Sequence, residues 1–268
     1  MRQEISYCTF LLMGCLFLSS CATVPISGRR QIDFIPSSMM LAMSFQQYDE
    51  FLKENKISQD RRQTELVNNV GRNIQKAVET YMANNNMSDR LNNYKWEFNL
   101  VESEEINAWC MSGGKVVVYT GILPITKDET GLAVVIGHEV AHAVARHGDE
   151  RMSHILLTEL GGLTLQAALK EKPQETQQLW STAFGIGSQV GFLLPYSRLQ
   201  ESEADRLGLI FMAMAGYNPN KAIDFWGRMF QAHKSGRPPE FLSTHPTDEK
   251  RIQQIKSYIP EALTYYKK

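Results

Sequence analysis

The chain has 268 residues, a formal net charge of −1 and 43% hydrophobic residues. This length and apolar content suffice for one large domain with a substantial core. The near-neutral charge and the lack of any basic run argue against an electrostatic nucleic-acid surface, so nucleic acid is not an expected partner.

Residues 1–20 are typical of a secretory signal peptide. An apolar core follows Arg2 and is too short to span a membrane. The next four residues, Leu18 to Cys21, read L-S-S-C, which resembles a bacterial lipobox, in which the peptide is cleaved before an acylated cysteine. Because several acyl chains give stable attachment, we expect Cys21 to anchor the mature protein to a membrane of the bacterial cell envelope.

The residue after Cys21 indicates which membrane carries the anchor. Ala22 replaces the Asp that commonly retains bacterial lipoproteins in the inner membrane, which favours the periplasmic face of the outer membrane. The alternative is an unlipidated secretory signal with an incidental cysteine, since Glu4 offsets Arg2 at the start of the chain. Cys8 and Cys15 would leave with the signal peptide, and Cys21 would carry the lipid. Cys110 then has no cysteine partner, so no internal disulfide is expected.

Residues 21–40 are predicted to form an irregular, lipid-anchored segment, because prolines, a glycine and paired serines interrupt it. Helical patterns follow at 40–55 and 60–83, and an asparagine tract at 84–86 ends the second helix. The segment at 21–40 is therefore expected to connect the membrane anchor to a folded domain that begins with two helices.

Residues 95–101 and 115–120 alternate or run in β-branched residues, as strands do. With the helical patterns on either side, they predict an α+β fold that is mostly helical and contains a small β-sheet. Residues 41–268 are expected to form this one domain.

An H-E-x-x-H motif, from His138 to His142, lies in an apolar stretch predicted to be helical, with a capping box at Thr126 and Glu129 as its start. Four residues make about one helical turn, so both imidazoles project from one side and can hold one metal ion. Glu139 falls beside that ion and can take a proton from the attacking water. This is the layout of a zinc hydrolase, with one Zn²⁺ expected per chain.

A catalytic zinc site usually has three protein ligands, so a third must be found. The metzincin arrangement fails because position 148 is Gly148 rather than histidine. Downstream, Glu201 and Asp205 share a helix face, whereas Glu203 between them points elsewhere. Glu201 becomes the expected ligand, and Asp205 is placed to hydrogen-bond the outer nitrogen of a ligating histidine.

H-E-x-x-H followed about sixty residues later by E-x-E-A-D resembles the M48 family of metallopeptidases. The likeness covers roughly residues 95 to 255 and includes Ile106-Asn107-Ala108-Trp109, Gly113 to Gly121, Tyr196-Ser197-Arg198 and His245-Pro246. The resemblance implies a zincin-like metallopeptidase domain, with a sheet edge bordering the active-site cleft. It also implies Glu201 as the third zinc ligand and Asp205 as its support.

The strand at 115–120 has two interpretations. As an exposed sheet edge entered through Gly113-Gly114, it would hold an extended substrate by backbone hydrogen bonds. As a plain hairpin strand, it would have no such role. The resemblance favours the edge and implies four substrate-binding residues, which are Asn107, Gly114, Lys115 and Val117.

The oxyanion formed during hydrolysis needs a donor besides the metal, and His245, Tyr196 and Arg198 are the candidates. His245 is preferred, because a loop histidine before proline has little packing reason to be there. It could instead be a fourth metal ligand that keeps the enzyme latent, or a helix-start residue without a role. The other histidines are expected at the surface or in packing, and these are His147, His154 and His233.

Two further apolar stretches test whether the chain crosses a membrane. Residues 155–169 and 179–195 are interrupted by polar residues and glycines, so neither predicts a span. The glycines between Gly185 and Gly191 predict either a flap over the cleft or a close helix contact.

These features predict a zinc-dependent endopeptidase for unfolded or misassembled envelope proteins, including outer-membrane proteins, in protein quality control. One alternative is an assembly chaperone with a structural zinc site, but Glu139 argues against it because such a site needs no base. Another is a zinc amidase acting on peptidoglycan peptides, for which no cell-wall-binding repeat appears. The sequence indicates no oligomeric state.

Overall fold

The computed structural model describes residues 21–170, 194–234 and 239–267, with scattered helical positions between 174 and 184. The chain folds as two units. The first comprises the described parts of residues 1–40 and 146–198, and the second comprises residues 41–145 and 199–268.

Helices α1 at Ser37–Glu54 and α2 at Arg61–Asn84 lie before the sheet in the chain. The Asp60 side chain caps α2 by accepting a hydrogen bond from the Gln63 amide at 3.0 Å. The helix ends in the asparagine tract, where Asn86 has a φ of 56°. Both predicted helices are confirmed. One face of α2 enters the core through five fully buried residues, which are Val67, Val70, Ile74, Val78 and Met82.

The second unit contains a sheet of β3 (Glu97–Val101), β4 (Ala108–Met111) and β5 (Lys115–Tyr119) in the order β3-β5-β4. Strand β5 runs parallel to β3 and antiparallel to β4. The interpretation of residues 115–120 as an exposed edge is therefore wrong, because β5 is paired on both sides. It is the second strand of a hairpin, and β4 is an edge of the sheet that the described residues form.

The turn between β4 and β5 requires glycine. Gly113 and Gly114 have φ values of 89° and 82°, which side chains rarely tolerate. A Cβ atom on Gly114 would also lie 2.5 Å from the Trp96 ring. The chain can therefore reverse here only without side chains at these two positions.

Helix α3 (Leu123–Thr126) leads into α4 (Glu129–Val144), which carries the H-E-x-x-H motif. The predicted capping box at Thr126 is wrong. Asp128 caps α4 by accepting a hydrogen bond from the Gly131 amide at 2.8 Å, while the Thr126 hydroxyl donates to the Leu123 carbonyl within α3. Lys127, at a φ of 69°, separates the two helices and moves the cap by two residues.

Helix α4 is followed by a long α5 at His147–Leu169, and further helices follow in the parts of the chain described after residue 193. They are α6 (Leu194–Met214), α7 (Lys221–Lys234), α8 (Glu240–Thr244) and α9 (Glu249–Leu263). Helix α4 packs against α2, β4 and α7, and α7 packs against α9. The motif helix is thus enclosed in the second unit, and the fold is mostly helical with a small sheet, as predicted.

Helices α4 and α6 cross at two glycines. A Cβ atom on Gly137 would lie 2.9 Å from the Gly208 carbonyl oxygen, and one on Gly208 would lie 2.9 Å from the His138 amide nitrogen. The two backbones can approach this closely only because neither residue has a side chain. This crossing brings α6 directly behind the motif histidines.

In the first unit, the predicted irregular segment at 21–40 contains a short antiparallel hairpin of β1 (Cys21–Thr23) and β2 (Arg30–Ile32). This prediction is corrected because Gly28, at a φ of 63°, allows the chain to turn. Arg29 next to β2 holds the hairpin on α5 through two bonds to Glu150, at 2.6 and 2.8 Å.

None of the described helices is both long and apolar enough to cross a membrane. The glycine-rich stretch between Gly185 and Gly191, predicted as a flap or a helix contact, lies outside the described residues.

Candidate metal centre

The motif histidines meet in the interior of the second unit. His138 and His142 on α4 are 2% and 8% exposed. Their Nε2 atoms lie 3.1 Å apart, as expected for residues one helical turn apart. The apolar sequence around them buries α4 almost completely, so both imidazoles are held away from solvent.

Glu201 on α6 faces the two histidines. Its Oε1 atom lies 3.2 Å from His142 Nε2, and Oε2 lies 3.4 Å from His138 Nε2. Glu203 is also buried, but it does not belong to this group of donors. The structure therefore agrees with the helix-face argument that separates the two acids.

His245, which follows α8, completes a group of four donors. Its Nδ1 atom lies 3.1 Å from His138 Nε2 and 3.0 Å from both carboxylate oxygens of Glu201. The four residues each place one donor atom within 4.8 Å of all the others. The ring of Phe241 stacks on His245 with centroids 4.6 Å apart and holds it inward.

The donor set fits a divalent metal ion. Two to three imidazole nitrogens and a carboxylate oxygen are the ligands that zinc prefers, and a tetrahedral zinc site separates neighbouring ligand atoms by about 3.3 Å. The distances of 3.0 to 3.4 Å between these donors match that spacing. Buried lone pairs that point at one another need a shared cation or protons, and one ion satisfies all of them.

Glu139 stands next to the donor group. It is 4% exposed, and burial raises its pKa above the usual value for a glutamate. Its Oε1 atom makes no hydrogen bond with the described residues, and His245 Nε2 lies 3.3 Å away. A buried carboxylate beside a metal-binding group is arranged to accept a proton.

Asp205 lies where the sequence places it, on the outer side of the first motif histidine. Its Oδ1 atom is 3.0 Å from His138 Nδ1. Burial lowers the pKa of His138, but Asp205 and Glu201 outweigh this effect and raise the pKa to about 9. Asp205 thus orients the ring so that Nε2 faces the other donors.

Arg251 on α9 is a site residue that the sequence did not reveal. Its Nη2 atom lies 2.9 Å from Glu201 Oε2, and its Nε atom donates to Asp205 Oδ2 at 2.8 Å. The only local signal is its position in the first turn of a helix, where a positive charge opposes the helix dipole. An unfavourable local position of this kind indicates that a partner elsewhere compensates for it.

The residues predicted to bind substrate occupy different environments. Val117 is fully buried in a cluster with Tyr48, and Lys115 is buried with its Nζ atom 2.7 Å from Glu97. Gly114 forms the hairpin turn, and Asn107 precedes β4. Substrate contact by these residues remains a prediction, and for Lys115 and Val117 the strand backbone is already paired on both sides.

The other candidates are not part of the donor group. Arg198 is exposed, and the side chain of Tyr196 lies outside the described residues. His147 and His154 are buried packing residues of the first unit, as predicted, while the side chain of His233 is not described. His245 is therefore the only one of the three oxyanion candidates that the described residues place at the centre.

Comparison with known proteins agrees with this geometry. The model of peptidase family M48 matches residues 69–259. The mitochondrial metalloendopeptidase OMA1 of Schizosaccharomyces pombe is 33% identical over 252 residues, covering 93% of this chain and 69% of that protein. The OMA1 enzyme of Saccharomyces cerevisiae is 29% identical over 278 residues, covering 99% and 77%. The beta-barrel assembly-enhancing protease of Escherichia coli O157:H7 is 29% identical over 167 residues, covering 60% and 34%.

Proposed function

Because the chain belongs to peptidase family M48 and is a metalloendopeptidase, we propose that it uses one Zn²⁺ to hydrolyse unfolded or misassembled envelope proteins. The observation that carries this proposal is the buried group of His138, His142 and Glu201, with the carboxylate of Glu139 beside it. Such a group provides both metal ligands and a base, whereas a purely structural site needs only ligands.

The contacts indicate which residues would bind the metal and which would transfer the proton. His138, His142 and Glu201 would hold the metal, which when bound supplies a Lewis acid for the scissile carbonyl and for the attacking water. Glu139 takes the proton from that water and returns it to the leaving amine. Its pKa, raised by burial, suits the first step, because a stronger base takes the proton from water more readily.

Strand β4 is the element that we propose for substrate alignment. It is an edge strand, pairs with β5 on one side and packs against the motif helix α4. Backbone hydrogen bonds to an edge strand do not depend on the substrate sequence, but they require an extended peptide. This arrangement favours unfolded polypeptides over folded proteins.

The proposed location is the bacterial cell envelope, with lipid on Cys21 as the membrane anchor. The L-S-S-C sequence supports the anchor. The name of the Escherichia coli relative, a beta-barrel assembly-enhancing protease, supports outer-membrane proteins as substrates. Other relatives are named as mitochondrial enzymes, so the similarity itself does not decide between these locations.

Replacing Glu139 by glutamine tests the assignment. We expect Glu139→Gln to keep stoichiometric zinc but to lose about two to four orders of magnitude in cleavage rate, because the amide cannot accept the proton. Zinc content is measured by elemental analysis. Cleavage is measured on one protein substrate in two forms, the native folded form and a form unfolded by reduction of its disulfides. Wild-type cleavage should be confined to the unfolded form.

Two results would count against this proposal. Retained turnover in Glu139→Gln would remove Glu139 as the base. Equal cleavage of the folded and unfolded substrate by the wild type would remove the preference for unfolded chains, while leaving the metal chemistry intact.

A further inference from the structure

Arg251 is buried, and its guanidinium makes polar contacts on every side. It is 8% exposed. Two parallel bonds join it to Asp205, at 2.8 and 2.9 Å, and Nη2 also lies 2.9 Å from Glu201 Oε2. Nη1 donates to the Pro246 carbonyl at 2.9 Å, and the guanidinium lies 4.2 Å from the centroid of the Trp226 ring. This one side chain therefore contacts Glu201, the Asp205 carboxylate that holds His138, and the loop that carries His245.

Charge balance explains why a cation is needed at this point. Three carboxylates are buried together here, those of Glu139, Glu201 and Asp205. Buried carboxylates without partners are strongly unfavourable, and a guanidinium is a permanent cation whose planar fork matches them. A divalent metal ion together with Arg251 balances the three negative charges, whereas the metal ion alone does not.

The contact with Glu201 also affects how that residue can bind a metal. Arg251 lies against Oε2, which also faces His138 Nε2 at 3.4 Å, while Oε1 faces His142 Nε2 at 3.2 Å. The arginine therefore holds the carboxylate with both oxygens toward the donors. A carboxylate held by one oxygen cannot rotate freely, and its entropy loss on binding metal is smaller.

We propose that Arg251 is a positioning residue that sets the metal affinity of this site. It fixes the orientation of the Glu201 carboxylate, holds Asp205 on His138 and ties the His245 loop to the same point through the Pro246 carbonyl. The inference rests on the metal-dependent function proposed above, and it concerns binding of the metal rather than the chemistry performed with it.

The chain offers a matched control for general helix packing. Arg206 on α6 makes a two-pronged ion pair with Glu261 on α9, at 2.6 and 2.7 Å. Arg251 joins the same two helices, but the Arg206 pair is about one third exposed and touches no donor. Removing Arg206 tests the loss of an inter-helix arginine without touching the site.

The experiment measures Zn²⁺ affinity by competition with a chelator for wild type, Arg251→Met, Arg251→Lys and Arg206→Met. We expect Arg251→Met to bind zinc about 10- to 100-fold more weakly, as is typical when a partner of a ligand is removed. Arg251→Lys should recover part of the loss, because it restores the charge but not the parallel bonds. Arg206→Met should stay within about twofold of wild type.

Each outcome decides the matter. Wild-type affinity in Arg251→Met, or an equal loss in Arg206→Met, would overturn the proposal. If Arg251→Met does not fold, Arg251→Lys is decisive, since an unchanged affinity in that variant would show that the fork geometry has no role. A wild-type protein that binds zinc but cleaves no unfolded substrate would refute the proposed function while leaving this inference standing.

Discussion

His245 lies next to both the metal donors and the proposed base, Glu139. Its Nδ1 atom lies among the metal donors, and its Nε2 atom lies 3.3 Å from Glu139 Oε1. A catalytic zinc site leaves one position for water, and with a metal ion held by His138, His142 and Glu201 the fourth donor would occupy that position. We propose that this arrangement is the latent state, one of the three roles that the sequence leaves open for this residue.

We therefore expect His245→Ala to raise basal cleavage of a short unstructured peptide, because the variant frees the fourth position. Steady-state kinetics on zinc-loaded protein measure the effect. The opposite result, in which kcat and kcat/KM fall together by about two to three orders of magnitude, would instead make His245 the oxyanion donor.

The two glutamates on α6 allow a paired comparison. Glu201→Gln should lower zinc occupancy, since a neutral amide is a poor ligand, whereas Glu203→Gln should retain zinc because Glu203 lies outside the donor group. Elemental analysis after dialysis against trace chelator measures both. Because both residues are buried, thermal unfolding of the two variants shows whether any loss of zinc is specific.

Three of the four donor residues, which are His138, His142 and Glu201, were predictable from helical spacing. His138 and His142 share a face at four residues, as do Glu201 and Asp205, and a metal site requires both pairs to converge. Arg251 was not predictable. It reaches the site only through the packing of α9 on α6, and no local pattern specifies which side chains such packing brings together.

At the scale of elements, the strand at 115–119 shows where sequence reasoning fell short. All five residues of β5 are buried, and the run from Val116 to Val118 shows no alternation. A continuous apolar run is typical of a strand that is covered on both faces and paired on both sides. That signal was present, but parallel pairing with β3 depends on contacts distant in sequence, which a short pattern does not record.

The crossing of α4 and α6 gives a prediction at this scale. Gly208→Ala should lower the free energy of unfolding by about 1–3 kcal/mol, because its methyl group would collide with the backbone of His138. It should also weaken zinc binding, since the helices that carry the ligands must separate. Chemical denaturation and chelator competition measure the two effects.

Gly227 in α7 is the control for this prediction. A Cβ atom there meets nothing within 4 Å, so Gly227→Ala should stabilise the helix by about 0.5–1 kcal/mol and leave zinc affinity unchanged. Equal behaviour of Gly208→Ala and Gly227→Ala would show that the close crossing has no energetic role.

At the scale of the whole molecule, the N-terminal hairpin places the proposed anchor next to folded structure. Cys21 is the first residue of β1 and pairs with Ile32 in β2. Arg29 then fixes the hairpin to Glu150 on α5. Within the first unit, lipid on Cys21 would therefore attach to an ordered strand rather than to a long tether.

Membrane attachment should depend on this one residue. We expect Cys21→Ser to move the protein from the membrane to the soluble fraction, with unchanged cleavage of a soluble unfolded substrate, because the lipid contributes nothing to the metal site. Fractionation of cells followed by an activity assay measures both. A variant that stays with the membrane would contradict the lipid anchor.

The two glycines at the α4–α6 crossing also limit how this chain can evolve. When two side chains clash in a core, a smaller residue at one position commonly restores the fit of a larger residue at the other. Here each added methyl group would meet main-chain atoms, those of Gly208 in one case and of His138 in the other. A substitution at the partner position does not remove main-chain atoms, so a change at one of these glycines cannot relieve the clash that a side chain at the other would cause. Homologous chains that keep the same metal geometry are expected to keep both glycines independently.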